Sequence, residues 1–222
     1  MKNNEQEITD LVDLKNFVDY NQEIKENGET FQKVMCIYKM ALKELNNKVE
    51  IYQEEFKTFY NYELIDHINF RIKSPKSIIK KMQDRGAELT YKEMIENIND
   101  IAGLRVICQT QKDIYSIKRL IQNIPGIQTL KEKDYIKTPK ESGYSAYHII
   151  LAVPVVLSTQ LIYVKVEVQI RTMTMDVWAS LEHKMKYKTQ KAITNKQSKE
   201  WINCAKAINK IDEKITNLTI KT

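Results

Sequence analysis

The segment Val166–Lys188 reads VEVQIRTMTMDVWASLEHKMKYK, and it determines the architecture that we predict for the chain. Its first six residues alternate strictly, so apolar side chains face one side of a strand and polar side chains face the other. The polar face carries a carboxylate, an amide and a guanidinium, which belong to Glu167, Gln169 and Arg171. Three such groups need partners, whereas the apolar face is expected to pack in the core. After Thr172, a predicted N-cap, the pattern becomes helical.

A loop with the sequence DYIKTPKESGYSAYH, Asp134–His148, precedes this strand. Its proline and the turn dipeptide Ser142-Gly143 interrupt any periodicity. The pattern predicts a strand over 145–153 and a turn over 157–160. The segment Leu161–Arg171 is then expected to be the antiparallel neighbour of that strand.

The upstream chain alternates between strand and helix patterns. Residues 67–73 read as a strand, followed by Ser74 as N-cap and a proline at the first helical position. Residues 101–108 form an apolar strand with one charge, Arg105, which must be paired or directed into a cleft. Thr110 and Asp113 predict a capping box for the next helix.

Long amphipathic patterns lie towards both ends of the chain. Residues 29–60 predict a long helix, residues 196–218 predict another, and residues 5–26 predict a modest amphipathic helix. Helices flanking a sheet of about five strands, some of them joined by short turns, give an α+β domain. The 222 residues predict a single domain, with a core at about 61–190 and helical extensions at 1–60 and 191–222.

The amino-acid composition indicates which class of protein this chain belongs to. Hydrophobic residues make up 42% of the chain, which is enough for a sizeable core, and the net charge of +6 allows either an anionic partner or a solvated lysine surface. Three widely spaced cysteines suit buried thiols in a reducing cytoplasm. No apolar segment is long enough to cross a membrane, so we expect a cytoplasmic protein without a membrane partner.

Two carboxylates are the best metal-ligand pair in the sequence. Asp100 ends a loop directly before a strand, and Glu167 lies inside a strand. Both also have ordinary structural interpretations, because Asp100 could terminate a turn and Glu167 could form an ion pair with Arg105 or Arg171. Five cations lie around the end of one predicted strand and in the helix that follows: Arg71, Lys73, Lys76, Lys80 and Lys81. They likewise predict either an anion site beside a helix N-terminus or a solvated helix face.

Four segments together resemble the synthetase domain of the RelA/SpoT alarmone enzymes, and the short chain is similar to the stand-alone small alarmone synthetases. The segments are RIKSPKSIIKK at 71–81, DIAGLRV at 100–106, DYIKTPKESGYSAYH at 134–148 and EVQIRTMTMDVWASLEHKMKYK at 167–188. The resemblance implies a nucleotidyltransferase-like mixed sheet surrounded by helices, and a homotetramer built through the long terminal helices.

The resemblance also implies an activity, in which the pyrophosphate of ATP moves to the ribose 3′-hydroxyl of GTP, GDP or GMP and AMP leaves. It implies Mg²⁺ held by Asp100 and Glu167, with Glu167 also as the candidate general base. The residues that it assigns to ATP are Arg71, Lys73, Ser74, Lys81 and Arg105. The residues that it assigns to the guanine nucleotide are Lys133, Lys140, Tyr144, His148 and Gln169, with Tyr144 stacked on the base.

Other functions stay open at this point. A catalytically inactive nucleotide- or RNA-binding regulatory module is allowed by the net charge, although it has no need of both carboxylates. A nucleotidyltransferase acting on RNA or a small molecule would be expected to carry a paired Asp-x-Asp on one strand, which is missing. An allosteric alarmone and single-stranded RNA are further partners that we consider. The long enzymes of the family carry a histidine-aspartate hydrolase domain, for which 222 residues with three histidines leave no room, so we expect synthesis without hydrolysis. Asp176 lies where some relatives carry Asn, which bears on the preferred acceptor.

Overall fold

The computed structural model describes residues 28–188 and 195–218, together with residues 14, 18, 19 and 22–24. Among these residues the fold consists of six helices and a five-stranded sheet, as the α+β prediction requires. In chain order the elements are α1 (Gly28–Phe59), β1 (His67–Ile72), α2 (Pro75–Gln83), α3 (Tyr91–Asn97), β2 (Ala102–Cys108), α4 (Gln111–Gln122), β3 (Gln128–Asp134), β4 (Tyr147–Val156), β5 (Leu161–Thr172), α5 (Met173–Lys188) and α6 (Asn195–Leu218).

The sheet is mixed, and its strand order is β1-β2-β5-β4-β3. Strands β4 and β5 form the antiparallel hairpin that the sequence predicted. Strand β2 runs parallel to β5, and the two edge strands β1 and β3 are antiparallel to their neighbours. Strand β5 is therefore the central strand and pairs with β2 on one side and β4 on the other.

The two faces of the sheet differ in polarity. Along β5 the apolar residues from Ile162 to Ile170 are buried, while the polar residues between them are half-buried. The buried side chains share one hydrophobic core with residues of α1 and α4, and both helices pack on the sheet. Because strand side chains alternate between faces, the polar set of β5 faces away from this core.

Local signals in the sequence set the boundaries of the helices. The Ser74 side chain accepts a hydrogen bond from the backbone N–H of Ser77, and Pro75 is the first residue of α2. Thr110 and Asp113 form the predicted capping box of α4. The hydroxyl of Thr172 accepts from the N–H of Met175 at 3.2 Å, which begins α5 directly after β5.

The predicted helix over 5–26 lies mostly outside the described residues. Those of its residues that are described, Leu14, Val18, Asp19 and 22–24, are not helical, and Glu23 instead forms an isolated antiparallel bridge with Thr90. No helix among the residues that the structure describes is long and apolar enough to cross a membrane.

Candidate active site

A cavity of about 790 Å³ opens on the polar face of the sheet. This is within the range of pockets that hold small-molecule ligands. Its walls come from strands β3 to β5, from α2 and α3, and from the loop before β4. Six of the twelve predicted site residues line it: Lys81, Asp100, Lys133, Lys140, His148 and Glu167.

The register of the sheet explains why residues far apart in sequence meet here. Directly paired residues of neighbouring strands point to the same face. One row of pairs crosses all five strands and consists of Asn69, Arg105, Gln169, His148 and Lys133. All of them except Asn69 are predicted site residues. Glu167 lies in the adjacent row, between Gly103 on β2 and Ile150 on β4.

Asp100 is held between two lysines at the start of β2. Lys73 donates a hydrogen bond to Oδ2 at 2.9 Å and Lys81 donates to Oδ1 at 2.7 Å. Burial alone would raise the pKa of Asp100, but the hydrogen bonds and charges of the two lysines outweigh it, so the pKa lies below its ordinary value. The carboxylate is therefore ionised at neutral pH. Lys73 and Lys81, both predicted to bind ATP, thus lie together beside Asp100.

Glu167 makes none of the ion pairs with Arg105 or Arg171 that a structural interpretation would require. Its Oε1 lies 3.2 Å from Nδ1 of His148, and its Oε2 accepts from the Gln169 amide at 3.0 Å. Burial and the nearby charge of Asp100 raise the pKa of Glu167, but the combined effect of His148 and Gln169 is larger and holds the pKa below its ordinary value, so the side chain is a carboxylate facing the cavity.

Tyr144 is buried rather than presented to the cavity. Its hydroxyl accepts from Arg171 at 2.6 Å and lies 2.7 Å from Nε2 of His148. Arg171 also donates to Gln169 at 2.7 Å and to Asp176 at 2.9 Å. The three polar groups on one face of β5 thus find their partners in a single network. Within it, Asp176 accepts from both Arg171 and Arg105, so Arg105 has the partner that a charge in an apolar strand requires.

Tyr135 is a site residue that reasoning from the sequence missed. Its ring lies edge-on to those of Tyr144 and His148, with centroids 6.0 and 5.2 Å away. The ammonium of Lys140 lies 4.6 Å from the ring centroids of both tyrosines. A lysine charge near two aromatic rings is a stabilising arrangement. Tyr135 directly follows Asp134 in the quoted loop motif, so a signal was available there.

Arg71 and Ser74 do not line the cavity; they lie near the end of β1 and directly before α2. Arg71 pairs with Gly103 in the sheet, and a Cβ on that glycine would lie 3.8 Å from the Arg71 side chain. Its positive charge lies close enough to Arg105 to lower the pKa of that guanidinium, after the larger effects of burial and Arg171. Ser74 is exposed and serves as the N-cap of α2.

The cavity is also lined by three cations that were not predicted as site residues: Arg85, Lys131 and Lys165. Lys165 donates to the backbone carbonyl of Glu96 at 2.8 Å, and burial lowers the pKa of its ammonium. Arg85 donates to the carbonyl of Asn97 at 2.7 Å. Lys165 lies on the same face of β5 as Glu167, so strict alternation could have found it.

The residues present fit a magnesium ion. Mg²⁺ in nucleotide sites is bound through one or two carboxylates and completes its shell with water and substrate phosphates. Asp100 and Glu167 supply two ionised carboxylates to one cavity, and within the described residues no group of three or more acidic, His or Cys side chains forms a closed metal cage. The donor set therefore matches an ion shared with a phosphate substrate.

A sequence model described as "Region found in RelA / SpoT proteins" matches residues 70–192. The GTP pyrophosphokinase YwaC of Bacillus subtilis (strain 168) is 38% identical over 201 residues, which are 90% of this chain and 96% of that protein. The crystal structure of small alarmone synthetase 2 from Bacillus subtilis is 36% identical with a TM-score of 0.78, covering 87% of this chain and 100% of the other. Small alarmone synthetase 1 from Bacillus subtilis, bound to its product pppGpp, is 28% identical with a TM-score of 0.79, covering 87% and 98%.

Proposed function

This chain belongs to the RelA/SpoT family, and we propose on that basis that it is a GTP pyrophosphokinase that makes (p)ppGpp, the alarmone of the stringent response. It transfers the pyrophosphate of ATP to the ribose 3′-hydroxyl of GTP, GDP or GMP and releases AMP. The observation that carries the proposal is one cavity that combines two ionised carboxylates, Asp100 and Glu167, with lysines from α2, β3, β5 and the loop before β4. Two polyphosphates brought together need such neutralisation.

We assign ATP to the side of the site beside β1, β2 and α2, where α2 contributes Lys81 to the cavity. Lys73 and Lys81 already bind a carboxylate, and their ammonium groups can turn to phosphate oxygens when ATP arrives. Arg71 and Arg105 offer planar guanidinium groups, which suit stacking on adenine. Ser74 stands at the N-terminus of α2, where backbone N–H groups favour an anion.

The guanine-nucleotide side is formed by β3, β4 and the loop over 135–146. Lys133 and Lys140 meet the phosphates of this nucleotide, while His148 and Gln169 orient it from the sheet. Tyr144 stacks on the base only after its ring is uncovered, because Lys140 and Tyr135 lie against it. Acceptor binding is therefore coupled to a movement of Lys140, whose ammonium leaves the tyrosines for phosphate.

The reaction forms a bond between the 3′-oxygen and the β-phosphorus of ATP and breaks the bond from that phosphorus to the α,β-bridging oxygen. Glu167 receives the proton of the 3′-hydroxyl, and its position beside His148 keeps the carboxylate ionised and oriented. A carboxylate with a lowered pKa is a weak base. Magnesium, when bound by Asp100 and Glu167, supplies charge neutralisation and lowers the pKa of the attacking hydroxyl.

The test uses ATP labelled at the γ-phosphate with GMP, GDP or GTP in parallel, and separates the products by chromatography. We expect the label to move to the guanine nucleotide, and Glu167→Gln and Asp100→Asn to reduce transfer by about 10²–10⁴-fold. Glu54→Gln, an exposed carboxylate on α1, is the matched control and keeps full activity. A folded chain that binds nucleotide but transfers no label to any acceptor would instead be a binding module.

The proposal includes a homo-oligomer, the tetramer that the resemblance implies, in the cytoplasm. Exposed apolar side chains recur at four-residue steps along α5, and a second exposed set lies on α6. The first set is Met173, Val177, Leu181 and Met185, and the second is Ile211, Ile215 and Leu218. A continuous apolar surface of this kind supports association. All three cysteines are free thiols, which suits a reducing compartment, but the prediction of buried thiols is wrong for Cys36 and Cys204, which are exposed.

A further inference from the structure

The loop that carries the guanine-nucleotide residues lies directly against the C-terminal helix. We name residues 135–146 the nucleotide loop. Gly143 in this loop has a φ of +79°, and a Cβ built on it would lie only 2.2 Å from the Cβ of Ala205 on α6. Ala205 is 1% exposed although its helix neighbours Lys206 and Ala207 are exposed. The close approach therefore requires glycine at one side and a small residue at the other.

The two tryptophans of the chain complete this contact. Trp178 on α5 is buried and its ring lies 4.3 Å from that of Trp201, with the planes inclined by 34°. Trp178 Nε1 lies 3.8 Å from the position of a Cβ on Gly143, and it has no acceptor among the residues that the structure describes. Trp201 and Ala205 are four residues apart, so they share one face of α6. That face is directed at the nucleotide loop and Trp178.

Helix α6 is held in place by polar contacts further along its length. Asp212 is 1% exposed; it accepts from the Gln111 amide at 2.7 Å and from the hydroxyl of Thr174. The backbone N–H of Gln111 donates to the Thr216 hydroxyl at 3.2 Å. These contacts join α6 to the first turns of α4 and α5. The helix therefore presents Trp201 and Ala205 from a fixed position.

The turn at Gly143 controls two of the predicted ligand-binding residues. The Gly143 N–H donates to the carbonyl of Lys140 at 2.8 Å, and the Lys140 N–H donates to the carbonyl of Tyr144 at 3.1 Å. This pair of bonds fixes the backbone of both residues relative to Gly143. A shift of Gly143 would move Lys140 and Tyr144 together.

We propose that Trp201 and Ala205 of α6 are positioning residues for the guanine nucleotide, acting through the nucleotide loop. They touch neither substrate, but they fix the turn that presents Lys140 and Tyr144. Helix α6 starts at Asn195, beyond the last residue that the family model matches. The inference rests on the proposed function for its substrate, while the contact itself is independent of that function.

Intrinsic fluorescence tests the contact without turnover, because Trp178 and Trp201 are the chain's two tryptophans. Titration with GDP alone is expected to change the tryptophan emission of the wild type, with saturation at the concentration that saturates GDP binding in equilibrium dialysis. Trp201→Phe should lose most of this change. Bound GDP with no change in emission would overturn the inference.

Kinetics separate positioning from general stability. We expect Ala205→Leu to raise the KM for the guanine nucleotide by roughly tenfold while the KM for ATP changes little, because only the loop is displaced. Ala207→Leu, an exposed position on the same helix, is the matched control and leaves both KM values unchanged. Equal rises in both KM values in Ala205→Leu would contradict the inference. A wild type without transfer would instead refute the proposed function and leave the fluorescence test standing.

A double-mutant cycle covers the case in which the larger side chain undocks α6. Gly143→Ala places a Cβ against Ala205, and Ala205→Gly removes the atom that it would meet. The combination is expected to recover guanine-nucleotide affinity relative to Gly143→Ala alone, although the strain of a positive φ remains. Purely additive effects of the two substitutions on GDP binding would show that the contact does not position the loop.

Discussion

At the residue scale, Asp100 pairs with cations of the site before a nucleotide binds. Its side chain is 15% exposed and accepts hydrogen bonds from two ammonium groups, Lys73 and Lys81. Burial removes water from both lysine ammonium groups, and hydrogen bonds to the Asp100 carboxylate replace the lost solvation. The contact therefore stabilises the buried charges. The same lysines are the proposed ATP phosphate ligands, so substrate binding exchanges one set of anionic partners for another.

The first prediction concerns the pH dependence of this contact. Asp100→Asn should lower the free energy of unfolding by about 1–3 kcal/mol at neutral pH, because Lys73 and Lys81 lose their anionic partner. The folded-state pKa of Asp100 lies below the unfolded value of about 3.9. Its ionised form therefore stabilises the fold above that unfolded value, and the contribution is lost as pH falls through the folded pKa. Urea unfolding from about pH 7 to pH 3 should show the gap between wild type and variant shrinking at the acid end.

Asp84→Asn is the control for this measurement, since Asp84 is an exposed aspartate at the end of the neighbouring helix α2. It should change stability by no more than about 0.5 kcal/mol at any of these pH values. A gap for Asp100→Asn that stays constant down to the most acidic condition would mean that the lysine contacts do not stabilise the fold.

Residue-level prediction from the sequence succeeded where the backbone pattern decides direction. Strict alternation placed Glu167 and Gln169 on one face of β5, and the structure confirms that they share a face with His148 on β4. It did not reveal that Tyr144 is buried or that Tyr135 lies beside it. Those facts depend on the irregular loop and on packing against α6, which no local period encodes.

At the element scale, the C-terminal end of α3 determines where Asp100 lies. The carbonyls of Glu96 and Asn97 accept from Lys165 and Arg85, two cations that come from β5 and from the residues after α2. Carbonyls at a helix C-terminus lack partners inside the helix, and cations there are favourable. Asp100 follows three residues after the end of α3, so this pair of bonds fixes the short segment that carries it.

The second prediction follows from that arrangement. Lys165→Met should raise the KM for ATP by roughly tenfold, because the segment that ends in Asp100 loses its tether. The KM for the guanine nucleotide should change much less, since Lys133 and Lys140 lie on other elements. Initial rates at varied ATP and varied GDP measure both values. Lys165→Arg should restore most of the loss, and Lys92→Met, exposed on α3, should behave as wild type. A rise in the KM for GDP alone would instead show that Lys165 acts in binding the guanine nucleotide.

Elements were predictable from local chemistry more than their arrangement was. The caps of α2 and α4 and the hairpin of β4 and β5 depend on residues close in sequence, and all are as predicted. The parallel pairing of β2 with β5 joins residues more than sixty positions apart, which no turn signal specifies. The row of site residues across five strands depends on that pairing. Four residues of this row could therefore be predicted as site residues from the sequence, but the order in which they lie across the sheet could not.

At the scale of the whole molecule, the two faces of the sheet have different roles. One face buries its apolar side chains against α1 and α4, and the other carries the cavity with its charged residues. Helices α5 and α6 follow β5, and α6 returns along α5 and α4. Both helices leave apolar side chains exposed about one turn apart, whereas the exposed apolar residues of α1, Met40, Ile51 and Phe59, are widely spaced. We propose that this regular spacing marks the surface through which copies of the chain associate.

The third prediction tests that surface. Val177 and Leu181 are 55% and 43% exposed on α5 and lie one helical turn apart. Replacing both with lysine places two like charges in the apolar stripe, so association would require burying unpaired charges. We expect light scattering to show an oligomer for the wild type and a smaller species for the double variant at the same concentration. Val156→Lys, an exposed apolar position at the end of β4, should leave the mass unchanged. A double variant that keeps the wild-type mass would place the interface on another surface.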